Sequence, residues 1–100
     1  MIDDLSFFEE LFYTIEKKAK SKDRKSYTKH LLRIGKNKIA QKISEESSEL
    51  IIDYLNGSKK RTIEEAADLI YHIFVLLYSK KINLNDIKKE LKKRQNVRYK

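Results

Sequence analysis

One hundred residues provide for a single domain with a modest core, which oligomerisation would help to complete. The absence of cysteine excludes disulfides and thiolate metal sites and fits a reducing compartment. A net charge of +8 favours polyanionic partners, either nucleic acid or a polyphosphorylated small molecule, and equally suits lysine-covered, solvated helix faces.

With no proline and two glycines, a many-stranded sheet is disfavoured and the chain reads as helical. The acidic start, Met1-Ile2-Asp3-Asp4, lacks the layout of a secretory leader, and none is expected. From about Asp3 to Lys20, Leu5, Phe8, Leu11, Phe12 and Ile15 recur at the spacing of an amphipathic helix. Lys20 to Tyr27 is polar and reads as a loop, within a basic stretch from Lys17 to Lys29 that carries Asp23 as its single acid. A short helix from Thr28 to Ile34 is stopped by Gly35.

A long helix is predicted from about Asn37 to Leu55, ending at Asn56-Gly57. Ile39, Ile43, Leu50 and Tyr54 share one sector of it. Lys42, Glu46, Glu49 and Asp53 fill the next, and Glu45 lies further round, so the carboxylates edge the core stripe. The following helix starts near Thr62, where Thr62-Ile63-Glu64-Glu65 matches a capping box. Glu65, Asp68 and His72 then fall within about 60° of one another. The rest of Ala66 to Leu77 is apolar or small apart from Tyr71, which predicts a central helix buried nearly all round. Its longest apolar run, Leu69 to Tyr78, is interrupted by His72 and falls short of the about 20 residues that span a bilayer. A last helix follows Asn83, an N-cap with Asp86 in its first turn; Leu84, Ile87 and Leu91 form its inner stripe, and Gln95 to Lys100 should fray.

The chemistry lies in two acidic clusters, Glu45-Glu46-Ser47-Ser48-Glu49 and Glu65-Ala66-Ala67-Asp68, each of which puts two acids three positions apart on one side of a helix. Taken singly they have ordinary roles: a solvated face paired with Lys42, and a cap for Glu65. Taken jointly, with Asp68 one turn into an apolar helix, they call for protonation or a cation. A hard divalent ion suits carboxylate oxygens, and magnesium adds waters and phosphate oxygens to a few such ligands. His72 reads first as a satisfied core histidine, and Tyr27, Tyr71 and Tyr78 as core or interface aromatics. Lys36, Lys38 and Lys42 line the approach to the acidic helix. No Gly-rich phosphate loop and no Ser-His-Asp or Cys-His arrangement is present.

The EExxE helix followed by ExxD resembles the all-α nucleoside-triphosphate pyrophosphohydrolases that include MazG and the dimeric dUTPases. Within them, the chain is similar to phosphoribosyl-ATP pyrophosphohydrolase. The likeness rests on Ser26-Tyr27-Thr28 with Leu31-Leu32, on Gly35 to Lys42 leading into Glu45-Glu46, on Glu65 to His72, and on Leu84-Asn85-Asp86-Ile87 with Glu90-Leu91. It runs from about Leu5 to Arg94, within a single domain over residues 1–100.

The resemblance implies an all-α bundle of four to five helices completed by homodimerisation, in the cytoplasm. It implies Mg²⁺-dependent hydrolysis of phosphoribosyl-ATP to phosphoribosyl-AMP and pyrophosphate in histidine biosynthesis. Metal-ligand roles carry over to Glu46, Glu49, Glu65 and Asp68, and Glu45 matches the adjacent acid, a second-site ligand or water-activating base; in the mechanism expected from this, Glu45 or Glu49 takes the proton from water. Contacts to substrate phosphates carry over to Lys38 and Lys42. Ser47 and Ser48 replace the small apolar residues usual there, Lys22-Asp23-Arg24-Lys25 lacks a common proline, and Asp53 is an additional acid. No fused cyclohydrolase domain, nucleic acid or membrane partner is expected. Two competing functions are a house-cleaning hydrolase of noncanonical nucleoside triphosphates and a small basic nucleic-acid-binding protein; the second leaves Asp68 without a role.

Overall fold

The computed structural model describes residues 6–22 and 25–95, and among these it is built of helices alone. In chain order they are α1 (Phe7–Lys20), α2 (Tyr27–Ile34), α3 (Lys36–Asn56), α4 (Lys59–Ser79) and α5 (Leu84–Gln95). The all-α reading holds, with element ends within a few residues of the sequence expectation; residues 1–5, the expected start of the first helix, and 96–100 lie outside the described residues.

Local chemistry sets the breaks. Ser26 caps α2, its Oγ accepting from the Lys29 amide at 3.2 Å. Gly35 then separates α2 from α3 at φ 109°, a conformation closed to L side chains without strain. Helix α4 begins a turn earlier than the sequence suggests, because Ser58 takes the capping role and accepts from the Arg61 amide at 3.1 Å. Thr62 is therefore inside the helix, and its hydroxyl donates to the Ser58 carbonyl at 2.9 Å. The expected capping box is overturned, and Glu65 is released for other work. Asn83 and Asp86 cap α5 reciprocally, each accepting from the other's amide, at 2.9 and 3.1 Å.

Helices α3 and α4 form a long antiparallel hairpin with the most extensive contact in the molecule. Its turn needs Gly57: a Cβ there would sit 2.5 Å from Asp53 Oδ1 and 2.9 Å from Asp53 Cα. Helices α1 and α2 pack across the open end of this hairpin. The core gathers there, from Phe12 and Ile15 of α1, Leu31 of α2, Ile39 of α3, and Phe74, Val75 and Leu77 of α4. Phe12 and Phe74 meet edge to face at 5.7 Å. Each such fully buried aliphatic or aromatic side chain contributes about 1.5–3 kcal/mol relative to exposure.

The turn end of the hairpin is bare. Ile51, Ile52, Tyr54, Leu55 and Ile63 are all more than half exposed. Two sequence expectations change accordingly. The buried apolar residues of α4 lie along its second half, Glu65 being buried in its first, and Asp68, expected among apolar neighbours, is exposed. Tyr54 leaves the core stripe at 74 % exposure, because no other helix of this chain covers that end of α3. Helix α5 keeps Leu84 against the core, while Ile87 and Leu91, on the same stripe, are exposed.

Candidate metal centre

The acidic clusters lie where the packed end of the hairpin gives way to the bare end. The antiparallel arrangement brings the middle of α3 beside the first turns of α4, so residues 15 or more apart in sequence become neighbours. Glu46, Glu49 and Glu65 each offer a carboxylate oxygen, and these atoms lie within 4.8 Å of one another. Glu46 and Glu65 are buried, at 7 % and 4 % exposure, whereas Glu49 is exposed. One oxygen of each buried acid, Glu46 Oε2 and Glu65 Oε2, has no hydrogen-bond partner.

Two orphaned, buried carboxylate oxygens in one cluster are costly for a folded chain. The remaining oxygens show how the cost is contained. Lys42 Nζ lies 3.4 Å from Glu46 Oε1 and 3.7 Å from Glu45. Arg61 donates to Glu65 Oε1 at 2.7 Å and to Glu64 at 3.0 Å, with Asp53 at 3.9 Å on its far side. Each cation neutralises the outward oxygen of a buried acid and leaves the inward one bare. Burial, then the adjacent Glu49 carboxylate, pushes Glu65 up to about 7, with Arg61 opposing and Asp68 adding to the rise. Lys42 is pulled down by burial, yet the Tyr27 phenol and the two glutamates outweigh this and raise it above its ordinary value.

These residues fit a hard divalent cation. All the donors are carboxylate oxygens, as magnesium prefers. Glu46 and Glu65 would supply the two bare oxygens and Glu49 a third donor.

The structure does not bring all the expected residues to one point. Asp68 is outside the tight group of three, exposed, though near enough to Glu65 to raise its pKa. Glu45 is turned away, its carboxylate exposed and accepting from Gln41 at 3.4 Å. Lys42 lies against the acids, and Lys38 is half-buried one turn earlier on α3. Sequence reasoning passed over Arg61, although its spacing of four from Glu65 is that of a helical ion pair. His72 is a satisfied core histidine, as the sequence suggests, buried with Nδ1 2.7 Å from the Asp68 carbonyl; its other partner, the Tyr27 hydroxyl at 2.9 Å, was not legible in the sequence.

Fold and site together define an all-α chain whose longest hairpin carries a carboxylate cluster suited to a divalent cation. The family model for phosphoribosyl-ATP pyrophosphohydrolase matches residues 8–95, and the chain belongs to that family. It is 44% identical over 84 residues to a phosphoribosyl-ATP pyrophosphatase of Bacillus cytotoxicus, covering 84% of this chain and 78% of that protein. It is 41% identical over 98 residues to the histidine biosynthesis bifunctional protein HisIE of Bacteroides thetaiotaomicron, and 40% over 88 residues to that of Staphylococcus aureus. These matches cover 98% and 88% of this chain; it spans 48% and 42% of the two bifunctional proteins, about half their length.

Proposed function

We propose that this chain hydrolyses phosphoribosyl-ATP to phosphoribosyl-AMP and pyrophosphate in histidine biosynthesis, using Mg²⁺. The observation that carries the metal requirement is the pair of unpartnered buried oxygens, Glu46 Oε2 and Glu65 Oε2, beside Glu49. The reaction follows from the family and from the names of its relatives.

Glu46, Glu49 and Glu65 would hold the ion, with Asp68, one turn beyond Glu65, as a further ligand. A bound Mg²⁺ neutralises phosphate charge and lowers the pKa of water. Glu49, exposed beside the two buried acids, or Glu45 on the far side of Lys42, takes the proton as water adds at the α–β phosphate junction. The α–β anhydride bond breaks and its electron pair leaves on the departing pyrophosphate. Lys42 and Lys38 bind substrate phosphate oxygens, and Lys42 exchanges its contacts with Glu45 and Glu46 for them. The net charge of +8 draws a highly anionic substrate toward the site.

A homodimer completes the enzyme in this proposal. Ile52 and Leu55, near the hairpin turn, are exposed apolar side chains that a second copy would cover. None of the described helices is long and apolar enough to cross a membrane. A cytoplasmic location belongs to the same proposal, and a chain without cysteine fits its reducing milieu.

The test is pyrophosphate release from phosphoribosyl-ATP, measured beside dUTP with Mg²⁺ and again with EDTA. Turnover of phosphoribosyl-ATP that EDTA abolishes supports the assignment. Preference for dUTP would move the protein to the house-cleaning class, and activity in EDTA would remove the metal.

A further inference from the structure

The far end of α4 from the acids carries a second concave surface. Tyr78 lies about 20 Å beyond Glu65 along the axis of that helix. The end of α4, its turn into α5, and the facing sides of α1 and α2 surround a cavity of about 540 Å³. Phe12 of α1, Leu32 of α2 and Ile82 of the turn wall it, and all three belong to the core or pack against it. Glu16 of α1, Tyr78 of α4 and Lys81 of the turn line the same space. Small-molecule sites have this size and this mixture of apolar walls with a few polar groups.

The polar groups are unspent. Among the described residues, the Glu16 carboxylate, the Tyr78 hydroxyl and the Lys81 ammonium have no hydrogen-bond or ion-pair partner. Lys20 stands at the spacing of four that favours a helical ion pair, yet it does not engage Glu16. Glu16 and Lys81, opposite in charge and lining one cavity, do not pair with each other either. Lys81 also carries backbone strain. It sits at φ 63° just past α4, where the Ile82 amide reaches back to the Leu77 carbonyl at 2.8 Å. Glycine fills such a position at the lowest cost, so a lysine there bears a penalty that a side-chain function accounts for.

We propose that this cavity binds a small zwitterion with an apolar body, of the chemical class of an aromatic or branched α-amino acid. The ligand's ammonium meets the Glu16 carboxylate, and its carboxylate meets the Lys81 ammonium. Its side chain lies on Phe12, Leu32 and Ile82, and the Tyr78 hydroxyl supplies a further hydrogen bond. One protein charge of each sign selects against a ligand that carries only one. Glu16 repels a polyphosphate, which separates this site from the hydrolytic one.

The experiment is a proton–nitrogen NMR titration of the full chain with L-phenylalanine. Phenethylamine and 3-phenylpropionate, which keep only its ammonium or only its carboxylate, are titrated in parallel. Saturable shifts at the amides of Glu16, Lys81 and Ile82 are expected, with L-phenylalanine bound about tenfold more tightly than either analogue. Glu16→Gln and Lys81→Gln should each weaken that binding about tenfold. Lys81→Gly relieves the backbone strain, so its equal loss of binding is separable from any loss of fold. Absence of saturable shifts with both L-phenylalanine and L-leucine overturns the inference, as does equal binding of the single-charge analogues or by the variants. Shifts at the same amides that follow protein concentration without ligand assign the cavity to a second copy and overturn it too. Turnover is not the readout, so any of these failures leaves the functional assignment standing.

Discussion

Metal binding at the glutamate cluster should expel a proton, and the amount should depend on pH in a way that the geometry fixes. Burial and the neighbouring Glu49 carboxylate push Glu65 up to about 7, so without metal the cluster carries a proton through mildly acidic pH. A carboxylate that ligates a cation must give that proton up. With a pKa near 7, Glu65 is protonated in about 0.9 of molecules at pH 6 and in about 0.1 at pH 8. Mg²⁺ binding should therefore release about 0.9 proton per site at pH 6 and about 0.1 at pH 8. Isothermal titration calorimetry in two buffers of different ionisation enthalpy reads this number directly. Affinity should rise with pH across the same interval. The same group sets a stability trend in the metal-free protein. Its folded pKa lies above its ordinary value of 4.5, so the favourable contribution is fully present below 4.5 and is lost as pH rises through about 7. Glu65→Gln should flatten this trend and remove most of the proton release. Proton release that is absent, or the same at pH 6 and 8, would refute the picture of a crowded, buried carboxylate facing the ion.

The other cations and turns make equally concrete predictions. Arg61→Gln takes away the partner of Glu65 Oε1, so it should lower the melting temperature of the metal-free protein and enlarge the increase that saturating Mg²⁺ produces, both read by differential scanning fluorimetry. Lys81 sits at φ 63°, a left-handed conformation that costs a non-glycine residue energy; Lys81→Gly should stabilise the fold by about 0.5–1 kcal/mol in urea unfolding. Gly57→Ala would drive a methyl group into Asp53 and should cost about 1–3 kcal/mol in the same assay. If the bare hairpin end joins a second copy, Leu55→Glu should yield monomers in sedimentation velocity, and an unaltered sedimentation coefficient would dispose of that surface as the interface.

Helix class and helix spans were legible in the chain, because apolar residues at 3–4 spacing, Gly35, and Asn56-Gly57 act through local geometry that no distant contact overrides. The acids were legible too, since Glu46 and Glu49 on one face of α3, and Glu65 on the next helix, need only 3.6 residues per turn to be aligned. What local pattern could not decide was which helix end would be covered. Asp68 and Tyr54 read as inward-facing from periodicity, and they lie open because no described helix covers the faces that carry them. Nor could it rank two competing caps, and Ser58 displaced Thr62 by a turn. The partners of the buried acids were settled by tertiary contact as well. Arg61 reaches Glu65 along its own helix, but it meets Asp53 only because Gly57 lets the chain double back, and Tyr27 meets His72 across 45 residues. Periodicity assigns a side chain to a face; only the packing of one helix on another determines what that face meets, and here that decided which carboxylate oxygens were left bare.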